Sequence, residues 1–241
     1  MLFSLRDYLK HQEAVFWKKR RSRIKPSLLQ YDYLINQALF QEIKSSFTSI
    51  RGQLKKNKYV IVDVGCGNKP YFSIFQPFVK DYIGVDINPA EADVVASGEE
   101  LPLEDHMCDL ALSFQTLEHC RKPEKMVSEI RRILKPGGLV ILTTHGSWMH
   151  HPSPHDYYRW TSEGLAQVFK NFSRVEIRAN LKAWTSIIQL VNVELHGIAL
   201  RHVVWKIPLY LIIMLLNLVG TVSKNLGYDH FTVNYIVVAK R

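Results

Sequence analysis

Cysteine is scarce in this chain of 241 residues, and Cys66, Cys108 and Cys120 follow no regular spacing. An odd, sparse set excludes a disulfide-built scaffold and fits a reducing compartment. No pair of neighbouring cysteines offers half of a structural zinc site, and no metal is expected. Internal repeats and low-complexity segments are missing. So is an apolar run of the roughly 20 residues a membrane-spanning helix needs. The strongest run, "IPLYLIIMLLNLV" at 207–219, contains Pro208 and Asn217 and follows Lys206. A secretory leader is not expected, because residues 1–23 place apolar residues first and basic ones last, the reverse of a leader's order. Acidic residues are the minority, 22 against 31 Lys and Arg, and the net charge of +9 implies an anionic neighbour: nucleic acid, an acidic membrane surface or an anionic substrate. What is present is globular: 47% apolar and 22% charged residues, enough for one sizeable α/β domain with additions.

Residues 1–25 read as a helix ending in the basic cluster "WKKRRSRIK", with Pro26 as a stop. That cluster is either a solvated helix end or a surface for anionic lipid or RNA. Residues 27–56 read as a second helix. From Lys58 the rhythm changes to short apolar runs separated by helical stretches. Strands are expected at 59–65, 82–87, 92–97, 109–114, 138–144, 174–179 and 231–240. "PEKMVSEIRRILKPGG" is an amphipathic helix with Met126, Val127, Ile130, Ile133 and Leu134 on one face. Strands alternating with helices predict a seven-stranded, mostly parallel sheet with helices on both faces. The chain divides into a basic helical segment, 1–57, and a domain, 58–241, that carries an apolar helical insertion at 180–230.

The stretch "VIVDVGCGNKPY" at 60–71 runs an apolar strand into Gly65-Cys66-Gly67. In open parallel sheets ligands bind beyond the carboxyl ends of strands, where glycines let backbone approach them. Asp86 closes the next strand about 20 residues on, a spacing that suits a carboxylate accepting ribose hydroxyls. A dinucleotide fingerprint would want a third glycine where Pro70 stands, and Asn68-Lys69-Pro70 is a poor opening for a pyrophosphate-binding helix.

These residues resemble motif I of the class I S-adenosylmethionine-dependent methyltransferases, of the methyltransferase type 11 kind. "YIGVDINP" resembles their second strand, "LPLEDHMCDLALSFQTLEHC" their approach to strand four, and "EIRRILKPGGLVILTT" their fifth strand. The four matches run in order over 59–144. The resemblance implies a Rossmann-like fold, S-adenosyl-L-methionine as cofactor and methyl transfer as activity. It places Asp63, Gly65 and Gly67 under the methionine part, with Cys66 as a small filler between the glycines. It gives Asp86 the ribose hydroxyls and packs Ile87 on adenine. Ser97, Gly98 and Glu99 lie beside the adenine ring, although Ser97 stands where relatives often carry Asp. Gln115 faces the methionine end.

After the fifth strand comes "HGSWMHHPSPHDYYRWTSEGL", 145–165, dense in His, Tyr and Trp. Such a loop at a strand end is where an acceptor site would be built. "PHDYYRWT" followed by "GL" looks like a segment of methyltransferases from bacterial surface-glycan biosynthesis. A hydroxyl acceptor must lose its proton, and neutral histidine is the natural base near pH 7. His145 is the first candidate, with His119, His155 and Asp156 as rivals. Tyr157, Tyr158 and Arg159 are candidates to hold the acceptor, and pairing of Arg159 with Asp156 or Glu163 is the alternative for that residue. The expected acceptor is a glycan or glycolipid hydroxyl. A lipid, quinone or isoprenoid acceptor, or a membrane-associated binding protein without turnover, stays open. Nucleic acid is not an expected partner, because "SFQT" stands where a base-methylating motif would follow strand four. The insertion is either a lid packed on the sheet or, with Trp184, Trp205, Lys206 and the basic N-terminus, a contact with an anionic membrane. The expected place is the cytoplasm, peripheral on the inner membrane face.

Overall fold

The computed structural model describes residues 23–54, 56–152 and 154–241. The basic helix expected over 1–25 falls almost wholly outside the described residues. The elements are α1 (Tyr33–Ile50), β1 (Tyr59–Val64), α2 (Phe72–Phe75), β2 (Val79–Asp86), β3 (Val94–Val95), β4 (Cys108–Phe114) and α3 (Pro123–Ile133). They continue with β5 (Leu134–His145), α4 (Ser162–Val168), β6 (Arg174–Ala179), α5 (Ala183–Arg201), α6 (Lys206–Val222) and β7 (Asn234–Lys240). The expected seven strands form one sheet in the order β3-β2-β1-β4-β5-β7-β6. β7 runs antiparallel between β5 and β6, and the other pairings are parallel.

Side chains alternate across the strands, so each strand feeds two cores. Ile61, Leu110, Leu112 and Ile141 face α1, whose Leu39, Ile43, Phe47 and Ile50 recur at helical spacing and are buried. Val62, Ala111, Val140 and Leu142 face the other side, where α3 buries Met126, Val127, Ile130 and Ile133. Each such side chain contributes about 1.5–3 kcal/mol of transfer free energy. Because α1 supplies one of the two helical layers, the division expected at residue 57 does not separate it from the domain. Leu134, expected on the α3 face, is instead the first residue of β5 and pairs with Cys108. The strand runs through Pro136-Gly137-Gly138 because Gly137, at φ 78°, absorbs the extra residues as a bulge.

The strand order reverses between β1 and β4. The loops after β1, β2, β4 and β5 therefore converge on one edge of the sheet, around the switch point where ligands bind in open α/β folds.

Candidate active site

The loop after β1 is built on one glycine. Gly65 adopts φ 74°, and a Cβ there would lie 2.2 Å from Thr116 Oγ1 in the loop after β4. A side chain is thus excluded both by conformation and by space. The amides of Gly65 and Cys66 donate to Val85 O of β2 at 2.8 and 3.1 Å, which folds the loop over the strand ends. Asp86 completes the turn: Oδ2 accepts from Gly67 N at 2.8 Å and Oδ1 from Asn88 N at 2.9 Å. Each carboxylate oxygen keeps a further lone pair for a ligand hydroxyl. Ile87 beside it is 56% exposed, a flat apolar surface on the same rim. The Cys66 thiol is buried, and that burial pushes it up to about 12, so it stays protonated and acts as filler.

Two buried acceptors beneath this loop have no protein partner. The Tyr82 hydroxyl donates to Asp63 Oδ2, but Oδ1 has none. Burial pushes the Asp63 carboxyl up to about 6, against the lowering effect of Tyr82 and Lys69. At the end of the neighbouring strand β4, Gln115 sits at φ 55°, strained for a residue with a side chain. Its Nε2 donates to Thr143 Oγ1 at 3.0 Å, and its Oε1 is buried without a partner. Each unpaired acceptor costs about 1–3 kcal/mol. Such a donor-poor pair fits a ligand group rich in N–H, such as the α-ammonium of a methionine moiety.

In the loop after β3, where the adenine contact was expected, Ser97 Oγ accepts from Glu99 N at 3.2 Å, and Gly98 packs against Val64 and Met126. Glu99 Oε1 accepts from Arg121 N at 2.7 Å and Lys122 N at 3.2 Å. It fastens the loop after β3 to the loop after β4, so only its other oxygen is left for the role beside adenine.

The loop after β5 narrows the candidates. Of the two readings of Arg159, holding the acceptor or pairing with Asp156 or Glu163, the structure has the pair with Asp156, and all five N–H donors are engaged. Nε donates to Trp148 O, Nη1 to Asp156 Oδ1 and Tyr158 O, and Nη2 to Met149 O and Asp156 Oδ2, at 2.6–3.0 Å. Asp156 is equally committed. Its side chain is 1% exposed and also accepts from His151 N, and the Arg159 guanidinium holds its carboxyl far below the usual carboxylate range. A carboxylate so stabilised is a poor base. His145 is walled in: Nδ1 faces Val233 O at 3.4 Å, Nε2 lies 3.6 Å from Glu118 Oε1, and the ring stacks on Trp148 at 4.8 Å. Burial, then His151, holds its pKa well below the ordinary value, so it is neutral, but the residue is only 5% exposed.

Among the candidate bases, His119 and His155 keep access. His155 is exposed. His119 is half-buried at the end of the turn Leu117–His119, and its Nδ1 hydrogen-bonds His155 O. A carbonyl accepts only from a protonated nitrogen, so the neutral ring carries its lone pair on Nε2. Tyr157 is 44% exposed, whereas the Tyr158 hydroxyl donates to Arg121 O and its ring stacks on Trp160.

Glu118 escaped the sequence reading. It is fully buried, Thr144 Oγ1 donates to its Oε2 at 2.8 Å, and burial raises its pKa. The available signal was a carboxylate in the short turn "TLEHC" directly after β4. Glu118, His145 and His151 each bring a ligand atom within 4.8 Å of the others.

Residues 62–142 match the family model described as "Methyltransferase domain". The chain is 35% identical over 97 residues to an uncharacterized methyltransferase of Mycobacterium leprae, a match covering 35% of this chain and 36% of that protein. A Mycobacterium tuberculosis counterpart is 34% identical over 96 residues, covering 34% and 38%. The chain thus spans little more than a third of the length of these relatives. Among solved structures, an S-adenosylmethionine-dependent methyltransferase from Archaeoglobus fulgidus superposes with TM-score 0.54 at 13% identity, over 94% of this chain and all of that one. Haemonchus contortus phosphoethanolamine N-methyltransferase 2, bound to S-adenosylhomocysteine, gives 0.56 at 16% identity, over all of this chain and 60% of that one. The [4+2]-cyclase SpnF gives 0.52 at 17% identity, over 83% and 81%. The chain therefore has the class I, Rossmann-like methyltransferase fold, with a methyltransferase domain matched over residues 62–142.

Proposed function

We propose that this chain is an S-adenosylmethionine-dependent methyltransferase acting on a hydroxyl of a glycan or glycolipid. The observation that carries the reading is the pair of unpartnered acceptors, Asp63 Oδ1 and Gln115 Oε1, beneath a glycine loop edged by Asp86. Fold alone would not carry it, since a cyclase shares the architecture. The match of 62–142 to the methyltransferase domain adds to it. Bound S-adenosylmethionine supplies an activated methyl group on a sulfonium, open to in-line displacement by the acceptor oxygen.

The chain's own residues then have three tasks. Asp63 and Gln115 hold the cationic end of the cofactor, and Asp86 holds its ribose. His119 Nε2 takes the acceptor's proton as the oxygen–methyl bond forms, a contribution of about 10²–10⁴-fold. Tyr157 offers an exposed ring to the acceptor. Arg159 and Asp156 act one step back, holding the loop in which Tyr157 and Tyr158 sit. The apolar outer face of 183–222 favours an acceptor carried on a lipid over a soluble saccharide.

The test is transfer of labelled methyl from the cofactor into fractionated glycans and lipids, with the product identified. Label entering neither fraction, from a chain that binds the cofactor by calorimetry, would leave a binding protein without turnover.

A further inference from the structure

The insertion between β6 and β7 is built inside out. In α6 the residues Ile207, Leu211, Leu215, Leu218 and Val222 recur every three or four positions, the spacing of one helix face, and all are exposed. The opposite face buries Ile213, Asn217 and Gly220. In α5 the exposed face carries Trp184, Ile187, Val191 and Ile198, interrupted by the exposed carboxylate Glu194, whereas Ser186, Gln189, Asn192 and His196 are buried. The turn between the helices exposes Val203, Val204 and Trp205, with Val204 at 87%. The sequence expectation of a run too short to span is corrected here: the helical stretch Val203–Val222 extends beyond 207–219 and is long and apolar enough to cross a membrane, yet only 17% of its most apolar window is buried. A continuous apolar surface of this extent is not a soluble protein's ordinary exterior.

Most of the buried polar face is paired, although Asn192 Oδ1 and Thr185 Oγ1 have no partner among the described residues. Asn192 Nδ2 donates to Asn217 Oδ1 at 2.8 Å, and Asn217 Nδ2 donates to Leu28 O and Gln30 O at 2.8 Å each. Gln189 Nε2 donates to Tyr31 O at 2.9 Å, and its Oε1 accepts from Ile35 N at 3.1 Å. His196 Nδ1 is hydrogen-bonded to the Tyr210 hydroxyl at 2.8 Å. Gly220 lies so close to the start of α1 that a Cβ would stand 2.6 Å from Leu34. These contacts fix the hairpin along its length to residues 28–35. A helix tied down in this way cannot stand upright across a bilayer without stripping its amides of partners in hydrocarbon. It can lie flat.

Charge names the surface it would lie on. From residue 195 to 228 there is no Asp or Glu, while Arg201, Lys206 and Lys224 flank α6 at both ends. Trp184 and Trp205 are exposed at the start of α5 and of α6, the side chain preferred at headgroup depth.

We propose that α5 and α6 form a monotopic docking element that lies in the interface of an anionic lipid bilayer, apolar face inward, with the sheet held above it. The inference stands whichever acceptor the active site takes. It places the domain on the membrane without a spanning segment among the described residues.

The experiment is flotation of the full chain with phosphatidylglycerol and with phosphatidylcholine vesicles, for the wild type and for the triple variant L211Q/L215Q/L218Q. Those three leucines are exposed, so the variant should keep its unfolding midpoint. The wild type is expected to float with phosphatidylglycerol vesicles, more weakly with phosphatidylcholine ones and less as salt rises. The triple variant is expected to bind about a hundredfold more weakly, since each half-exposed leucine leaves about 1 kcal/mol of transfer free energy behind. Trp205 emission should be quenched more by lipids brominated near the headgroup than near the chain end, read against W205F. A wild type that stays unbound at low salt, or a triple variant that binds equally, overturns the proposal. So does a wild-type dimer in sedimentation that the triple variant dissociates, which would make a second copy the cover. Deeper quenching near the chain end would overturn the flat geometry.

Discussion

Replacing Asp63 with Asn tests the site at its most buried charge. Burial raises the carboxyl from 3.8 to about 6 in the folded chain. The native state therefore holds a proton that the unfolded chain has lost throughout that window. Stability from this group is fully present below pH 3.8 and is lost as pH rises through about 6. Two pH units correspond to about 3 kcal/mol. The variant has no proton to lose, so the gap between wild type and D63N should move by about 3 kcal/mol in the variant's favour between pH 4 and pH 7. Other titrating groups cancel in that difference. The cost of placing an Asn amide where Oδ1 has no partner is the same at both pH values, so the difference removes it as well. Urea unfolding at the two pH values measures it directly, and a melting shift of about 6–12 °C should accompany it. A cationic ligand group at Oδ1 would reverse the burial effect. Cofactor binding near pH 5–6 should then release a proton in the wild type and none in D63N, readable by calorimetry in buffers of different ionisation heat. Parallel stability curves for the two proteins would refute the account of Asp63, and binding without proton release would refute its pairing with the cofactor.

Other substitutions separate scaffold from chemistry. Gly65→Ala forces a side chain into φ 74° against Thr116, and should lower stability by about 1–3 kcal/mol and weaken cofactor binding in calorimetry. Arg159→Ala leaves the nearly inaccessible Asp156 carboxylate without its counter-ion, and should cost about 3–5 kcal/mol in chemical denaturation. Because Arg159 holds the Asp156 pKa down, that stabilisation is present at neutral pH and is lost as pH falls toward the depressed value; R159A should show a flatter acid limb. His119→Ala should reduce turnover about 10²–10⁴-fold at unchanged cofactor affinity, while unchanged turnover would move the base to His155 or remove it.

Much of the fold was legible because strand and helix periods alternate so regularly after Lys58. The glycine turn and Asp86 could be placed because both lie at strand ends, where local sequence fixes position. What was illegible depended on non-local pairing. The bulge at Gly137 let β5 begin at Leu134, four residues before the glycine pair seemed to permit a strand. Glu118 and His145 meet because β4 and β5 are neighbours, and no spacing in the chain announces that. For Arg159 the sequence left acceptor binding and pairing with Asp156 or Glu163 both open, and the structure reveals the Asp156 pair together with carbonyls from Trp148, Met149 and Tyr158 filling its donors.

The insertion carries the most general reason. Periodicity in 183–201 and 206–222 reveals two faces but not which one points outward. The usual assumption puts the apolar face inside, and that assumption makes the hairpin a lid. Asn217 decides the matter, because an amide that meets Asn192, Leu28 O and Gln30 O at once has its place in the interior. With that polar face turned inward, Leu211, Leu215 and Leu218 of α6 look out. A chain that leaves them there needs a surface to cover them, and a transferase whose acceptor rides on a lipid would find substrate and surface together.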